Sequence, residues 1–333
     1  MGKLASEELR KLLGCIKRDP RVIVPPSPGF DSGVHLLGDK YVVVSTDPCI
    51  GVPEEWFGWL LINYAASDVA LFGAKPEFCT INLLGPVSIE PRVFKVALEQ
   101  ACSAADELGM SIVTGHTGMY VGLSKLVGVC TAYGTVEKEN LITPSNAKAE
   151  DFILCTKHVG LEILVNFSIM NKALAQKLFG AAQAVKLAGL VRLQSCVKEA
   201  LQLAKISGVH AMHDATEGGL VAALNEMATA SDLGFSVTLE KIPISPETQK
   251  LQETFQLSNV QVLSMSSTGM IIAAVDSQAK EHVENVLREN GLSAAFLGVF
   301  TKSKNRVLLK DGKATPFPQV ADDPYERILS AKV

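Results

Sequence analysis

Two rhythms of apolar residues alternate along the chain. Short runs rich in β-branched residues mark strands, and apolar positions three and four apart mark helices. YVVVST (41–46) predicts a buried strand that stops at Asp47-Pro48. Residues 55–74 predict a long helix closed by Gly73, and residues 90–109 a second one, with Pro91 at its start and Gly109 at its end, where caps favour them. SIVTG (111–115) and LVGVCTAYGTV (126–136) predict strands on either side of a glycine-rich turn. TPSNAKAED (143–151) is polar and turn-rich, the best candidate for a linker. After it come a strand at FILCT (152–156), a helical stretch over about 183–205, and strands at GFSVTLE (234–240) and TGMIIAAV (268–275). A helix over 277–290 and the strand AAFLGVF (294–300) follow. Each half mixes strands and helices, which predicts two α/β or α+β domains, residues 1–145 and 146–333.

Composition narrows the class. Of 333 residues, 47% are hydrophobic and 20% charged, which describes a well-buried globular chain. A net charge of −4 argues against a broad nucleic-acid footprint. No apolar run approaches the ~18 residues of a membrane span. The N-terminal segment MGKLASEELRKLLG has no signal-peptide core. Its Met1-Gly2 start and Ser6 only faintly match a myristoylation signal. A surface helix with Leu4, Leu9, Leu12 and Leu13 turned inward is the plainer reading. The seven cysteines are odd in number and lack a C-x-x-C pair, and most sit in apolar runs. That is the usage of reduced core thiols in a cytoplasmic protein.

The candidate chemistry begins at HDATEGGL (213–220), which opens an apolar helix. Asp214 as N-cap and Glu217 as its reciprocal partner make a capping box. That explains the acids but not Gly218 and Gly219, each of which costs about 1 kcal/mol against Ala inside a helix. A helix start stripped of side chains is also a phosphate site. Asp68 shares a helix face with Phe57, Leu61, Tyr64, Leu71 and Phe72. A buried unpaired carboxylate there is costly, so Asp68 calls for an Arg, a Lys or a metal. Asp47 ends a strand, where α/β proteins gather ligands, or simply starts a turn. Asp31 lies in PPSPGFDSG (25–33), a loop able to close over phosphate or to serve as a plain linker. Gly115, His116 and Gly118 lie in VTGHTGMYVG (113–122); His116 is a phosphate or metal contact, or merely solvated. No P-loop and no G-x-G-x-x-G after a strand is present. Separated acids without a Cys/His cluster favour a hard cation, Mg²⁺ with a nucleotide.

These stretches, in this order, resemble the AIR-synthase-related superfamily, which includes aminoimidazole ribonucleotide synthase, selenophosphate synthetase, thiamine-monophosphate kinase and the hydrogenase-maturation protein HypE. The resemblance rests on Asp31 in its Gly-rich loop, STD ending at Asp47, SDVALFGAKP (67–76), TGHTG (114–118) and HDATEGGL, and runs from about residue 29 to 275. It implies an N-terminal α/β domain that forms a barrel-like core with a second copy, a C-terminal α/β domain, and an ATP site in the cleft between them. It implies Mg²⁺ on Asp31, Asp47, Asp68 and Asp214. ATP contacts would come from Asp31, Asp47, Gly115, Gly118, Gly218 and Gly219, and Asp68, Asp214 and His116 would be catalytic. The chain departs from the HypE pattern in three places. His116 stands for an acid, Glu217 stands for an Arg, and YERILSAKV replaces a tail ending in cysteine. The expectation is an ATP- and Mg²⁺-dependent HypE-like enzyme that phosphorylates an amide-type or other oxygen of a small substrate, not of its own tail. It would work as a cytoplasmic homodimer, without nucleic acid or membrane. A small-molecule kinase and a non-catalytic nucleotide-binding accessory dimer are the alternatives.

Overall fold

The computed structural model describes residue 4 and residues 6–331. The chain divides into an N-terminal body, residues 14–26 and 30–141, and a C-terminal body, residues 142–331 together with 27–29 and the first helix.

The N-terminal body is one six-stranded sheet with two helices. Its strands are β1 (Val22–Val24), β2 (Ser32–Leu37), β3 (Lys40–Ile50), β4 (Phe78–Pro86), β5 (Ser111–Tyr120) and β6 (Val127–Val136), in the order β1-β2-β3-β6-β4-β5. Only the β4–β5 pair is parallel. β4 and β6 alternate buried and half-exposed positions along their length, the period of a sheet with one face covered. Of the helices α1 (Ser6–Leu13), α2 (Phe57–Leu71) and α3 (Pro91–Leu108), α2 and α3 belong to this body. α2 is apolar on every side, and all its residues except Tyr64 are buried. Such a helix belongs between layers, and α2 packs on β3 and β6 with α3 on its other side. Gly58 permits the close helix crossing: a Cβ there would lie 2.0 Å from the Ala97 carbonyl oxygen. As the spacing predicted, α3 begins with Pro91 and ends at Gly109 in the left-handed region, φ 66°.

Two strands outrun the sequence reading. β3 does not stop at Asp47-Pro48 but pairs with β6 as far as Ile50. Pairing with β2 ends at Ser45, so Pro48 sits where β3 has a neighbour on one side only and a missing N–H is tolerated. β5 runs through TGHTG to Tyr120, because β4 lies parallel to it as far as Pro86. Gly115, His116 and Gly118 are therefore strand residues and not a turn.

The C-terminal body is built on a seven-stranded sheet, β13-β12-β9-β11-β7-β10-β8. Its strands are β7 (Phe152–Thr156), β8 (Val209–Asp214), β9 (Gly234–Thr238), β10 (Ile271–Val275), β11 (Ala294–Thr301), β12 (Arg306–Lys310) and β13 (Lys313–Pro316). Its further helices are α4 (Leu161–Met170), α5 (Lys172–Phe179), α6 (Ala181–Ala188), α7 (Val197–Leu203), α8 (Gly219–Ala230), α9 (Pro246–Phe255), α10 (Asn259–Leu263), α11 (Lys280–Glu289) and α12 (Tyr325–Leu329). A core of aliphatic side chains surrounds Phe167, which meets Phe179 and Phe255 edge-on. Lys157, just past β7, is buried and held at φ 56°. Its Nζ donates to the carbonyls of Leu193, Ser195 and Gly269 at 2.7, 2.8 and 2.7 Å and lies 2.5 Å from Glu199 Oε1.

Near the N-terminus the expected inward stripe is only half realised. Leu9 and Leu13 are half-buried, while Leu4 and Leu12 face solvent, since a helix of eight residues offers only a narrow seam. Met1, Gly2, Lys3, Ala5, Lys332 and Val333 lie outside the described residues. Five cysteines are buried as expected; Cys15 and Cys102 are exposed, the latter on the outer face of α3. Among the described residues no helix is long and apolar enough to cross a membrane.

Candidate functional site

In the N-terminal body, Asp68 lies three residues before the end of α2, on the face toward β3, and is 3% exposed. Ser45 Oγ donates to its Oδ2 at 2.7 Å. Asp47 is two residues beyond Ser45 on β3 and so lies on the same face, one pleat away. Asp47 and Asp68 are thereby gathered on one side of the sheet with the Ser45 hydroxyl between them in register. Asp31 immediately precedes β2, the neighbour of β3. His116 is placed elsewhere. It lies on β5, three strand positions from β3 and so about 14 Å across the sheet. It is exposed, and its Nε2 lies 2.6 Å from the Tyr120 hydroxyl.

In the C-terminal body, Asp214 closes β8 and is buried, 3% exposed. It is not an N-cap. α8 starts five residues later at Gly219, and its N-cap is Gly218, φ 81°, without a side-chain cap bond. The capping-box reading fails because β8 pairs with β10 as far as Asp214 and a turn intervenes, closed by Gly219 N–H donating to the Thr216 carbonyl at 2.8 Å. The glycines have a packing reason. A Cβ at Gly219 would sit 2.4 Å from the Met265 carbonyl oxygen, and φ there is +53°. Nor is the helix start bare. Gly218 N–H donates to Asp323 Oδ2 at 3.2 Å, and Ser266 Oγ donates to the same oxygen at 2.5 Å. A carboxylate of the chain itself thus occupies the place where the helix dipole favours an anion.

Asp214 Oδ1 is buried and accepts no hydrogen bond. A buried carboxylate oxygen left in this state is expensive, and carboxylate oxygens are what Mg²⁺ takes from proteins. The donor set therefore fits a hard divalent cation. Beside it, His213 Nδ1 donates to the Asp214 carbonyl at 2.8 Å and lies 3.4 Å from Oδ1, and its Nε2 lies 3.1 Å from Glu226 Oε2. A second group of ligating atoms, Asp151, His210 and Asp276, suits a metal less well. His210 Nδ1 is 2.9 Å from an Asp151 oxygen, but its Nε2 faces the Lys148 ammonium at 2.9 Å.

Sequence reading missed Glu162. It lies in the first turn of α4, fully enclosed, with Thr268 Oγ1 donating to it at 2.5 Å. Burial pushes its carboxyl up to about 8, Thr268 pulls it back, and the nearby charges of Glu217 and Asp323 raise it further. The carboxyl of Asp323 is also raised, first by burial. The signal for Glu162 was the one used for Asp68, a lone carboxylate in an apolar helix (LEILVNFSIM, 161–170). His213 stood in the quoted motif, but its partner Glu226 is thirteen residues away and only the fold brings it near.

Comparison with known proteins agrees with this architecture. Residues 29–136 match the AIR synthase related protein, N-terminal domain, and residues 148–310 its C-terminal domain. The chain is 27% identical to a hydrogenase expression/formation protein of Methanocaldococcus jannaschii, covering 84% of this chain and 82% of that one. It is 28% identical to selenide, water dikinase of Myxococcus xanthus, covering 75% and 70% respectively. Its fold superposes on a crystal structure of hydrogenase maturation protein HypE in complex with ATP at a TM-score of 0.72, with 19% identity over 98% of this chain and 97% of that one. Two mixed α/β bodies, acids gathered at strand and helix ends, and matches to both domains across most of the chain place it in the AIR synthase related family.

Proposed function

We propose that the chain is an ATP- and Mg²⁺-dependent enzyme of the HypE-like branch, which phosphorylates an amide-type or other oxygen of a small substrate. The observation that carries the reading is Asp214: a buried carboxylate at a strand end with one oxygen accepting no hydrogen bond. The Asp47–Ser45–Asp68 grouping supports it from the N-terminal body. So do the relatives, one named for hydrogenase expression/formation and one a dikinase, and the ATP held by the HypE neighbour.

On this reading Asp31, Asp47 and Asp68 offer oxygens to Mg²⁺ in the N-terminal body and Asp214 in the C-terminal one. When bound, Mg²⁺ neutralises phosphate charge, which is where most catalysis of phosphoryl transfer lies. The chain's own part is to hold these carboxylates in place. Ser45 fixes one oxygen of Asp68. The Gly218 N–H, bonded here to Asp323, would be the backbone donor nearest to hand for a phosphate if Asp323 were displaced.

Asp214→Asn is the direct test. Asn keeps the size of the side chain and removes its charge, so a role in packing alone would tolerate it. A ligand would not, and Mg²⁺-ATP affinity by calorimetric titration should fall tenfold or more with the melting temperature nearly kept. Wild-type affinity in Asp214→Asn, or no heat from ATP with Mg²⁺ in the native chain, would sink the proposal. The dikinase relative keeps a plain kinase in view; ³¹P spectra of the products tell a stable phosphorylated product from a dehydrated one.

A further inference from the structure

We propose that His213 and Glu226 are positioning residues that set the Asp214 carboxylate for its cation, an inference that rests on the metal role proposed for Asp214. Asp214 is the last residue of β8 and lies opposite Ile271 of β10. His213 Nδ1 donates to the Asp214 carbonyl at 2.8 Å and pins the peptide from which the Asp214 side chain springs. The same nitrogen is 3.4 Å from Asp214 Oδ1, and that oxygen accepts no hydrogen bond. The imidazole is thus close enough to stabilise the carboxylate but does not occupy the lone pairs a metal needs. Had Nδ1 bonded Oδ1 directly, every binding event would first have to break that bond.

A ring can flip, and Glu226 determines which way this one faces. From the second turn of α8 its Oε2 lies 3.1 Å from Nε2, and turning the ring over would set carbon against the carboxylate. Glu226 is itself held. Gly29, φ 82°, packs against it so closely that a Cβ at residue 29 would lie 2.9 Å from Glu226 Cβ. The order of support is Gly29, Glu226, His213, Asp214, all in the C-terminal body. Carboxylate–imidazole pairs of this sort orient groups around bound metals, and losing such a partner commonly costs ten- to a hundredfold in metal affinity.

The probe is Mn²⁺, added to the full chain with a non-hydrolysable ATP analogue, with bound metal read by electron paramagnetic resonance. Glu226→Ala should weaken Mn²⁺ binding about tenfold with little change in melting temperature. Glu226→Gln, which keeps an oxygen at the same reach from Nε2, should restore most of the affinity. A purely structural role for Glu226 would lower the melting temperature and leave affinity alone. A folded Glu226→Ala with wild-type Mn²⁺ affinity overturns the proposal. Should Glu226→Ala fail to fold, Glu226→Asp decides: its shorter side chain draws the carboxylate back from the ring, and affinity should drop threefold or more, an unchanged value being the overturning one. Asp214→Asn in the same assay separates the two claims. If it too binds Mn²⁺ normally, the metal reading itself is wrong. If it loses Mn²⁺ while the Glu226 variants keep it, only the positioning role falls.

Discussion

Single carboxyl groups carry most of what is specific to this chain, and Glu162 shows how one of them governs stability. Its folded pKa of about 8 lies far above the usual 4.5. Between those values the folded protein holds a proton that the unfolded chain has released, so stability falls as pH rises through that window. Glu162→Gln removes the titration. In urea melts the variant should match the native chain near pH 5 and exceed it by a few kcal/mol near pH 9; parallel stability curves would refute this. Asp68 was legible because a polar residue on an apolar helix face demands a reason, and the structure gives one in Ser45. Asp214 was found as a residue, and of the readings open for it the structure removes the cap. The acid-x-x-acid spacing is the same for a capping box and for a strand end followed by a turn. Only the β8–β10 register distinguishes them.

Among the elements, those with strong punctuation were readable. α2 and α3 begin and end where Gly73, Pro91 and Gly109 put them. Those without it were not: α4 and α5 follow one another with only Asn171 between, and the β12–β13 hairpin has no long apolar run. β5 was cut short because its glycines imitate a turn, and only pairing with β4 overrides that. The α2–α3 crossing offers a test in which two effects oppose. Gly58→Ala gains about 1 kcal/mol of helix propensity. It also drives a methyl to 2.0 Å from the Ala97 carbonyl oxygen and 2.6 Å from the Ala101 nitrogen. Overpacking of backbone on backbone costs more than propensity returns. A net loss of roughly 1–3 kcal/mol in thermal melts is expected, and a rise in melting temperature would show the helices free to part.

At the scale of the whole molecule, the outermost strand of the N-terminal sheet is unfinished. β5 spans ten residues with one side unpaired and shows Val113, Met119 and Tyr120 at 56%, 51% and 43% exposure. A long apolar edge left open is an association surface. We propose that a second copy of the chain covers this edge, since the family resemblance implies a barrel-like core shared by two copies. Sedimentation equilibrium should find a dimer, and Val113→Lys with Met119→Lys should yield a folded monomer. A monomeric native chain would remove the argument.

The Lys157 clasp has a consequence for chemical labelling. Every N–H of its ammonium is committed to a carbonyl or to Glu199, and the side chain is 3% exposed. An amine in that state presents no lone pair to an acylating reagent. The three carbonyls it gathers come from two segments far apart in sequence, residues 193 and 195 in one and residue 269 in the other. While solvent-facing lysines such as Lys95 and Lys250 react at once, Lys157 becomes available only when those segments separate. Its slow modification is a clock, set by the protein itself, for how often the C-terminal body comes open.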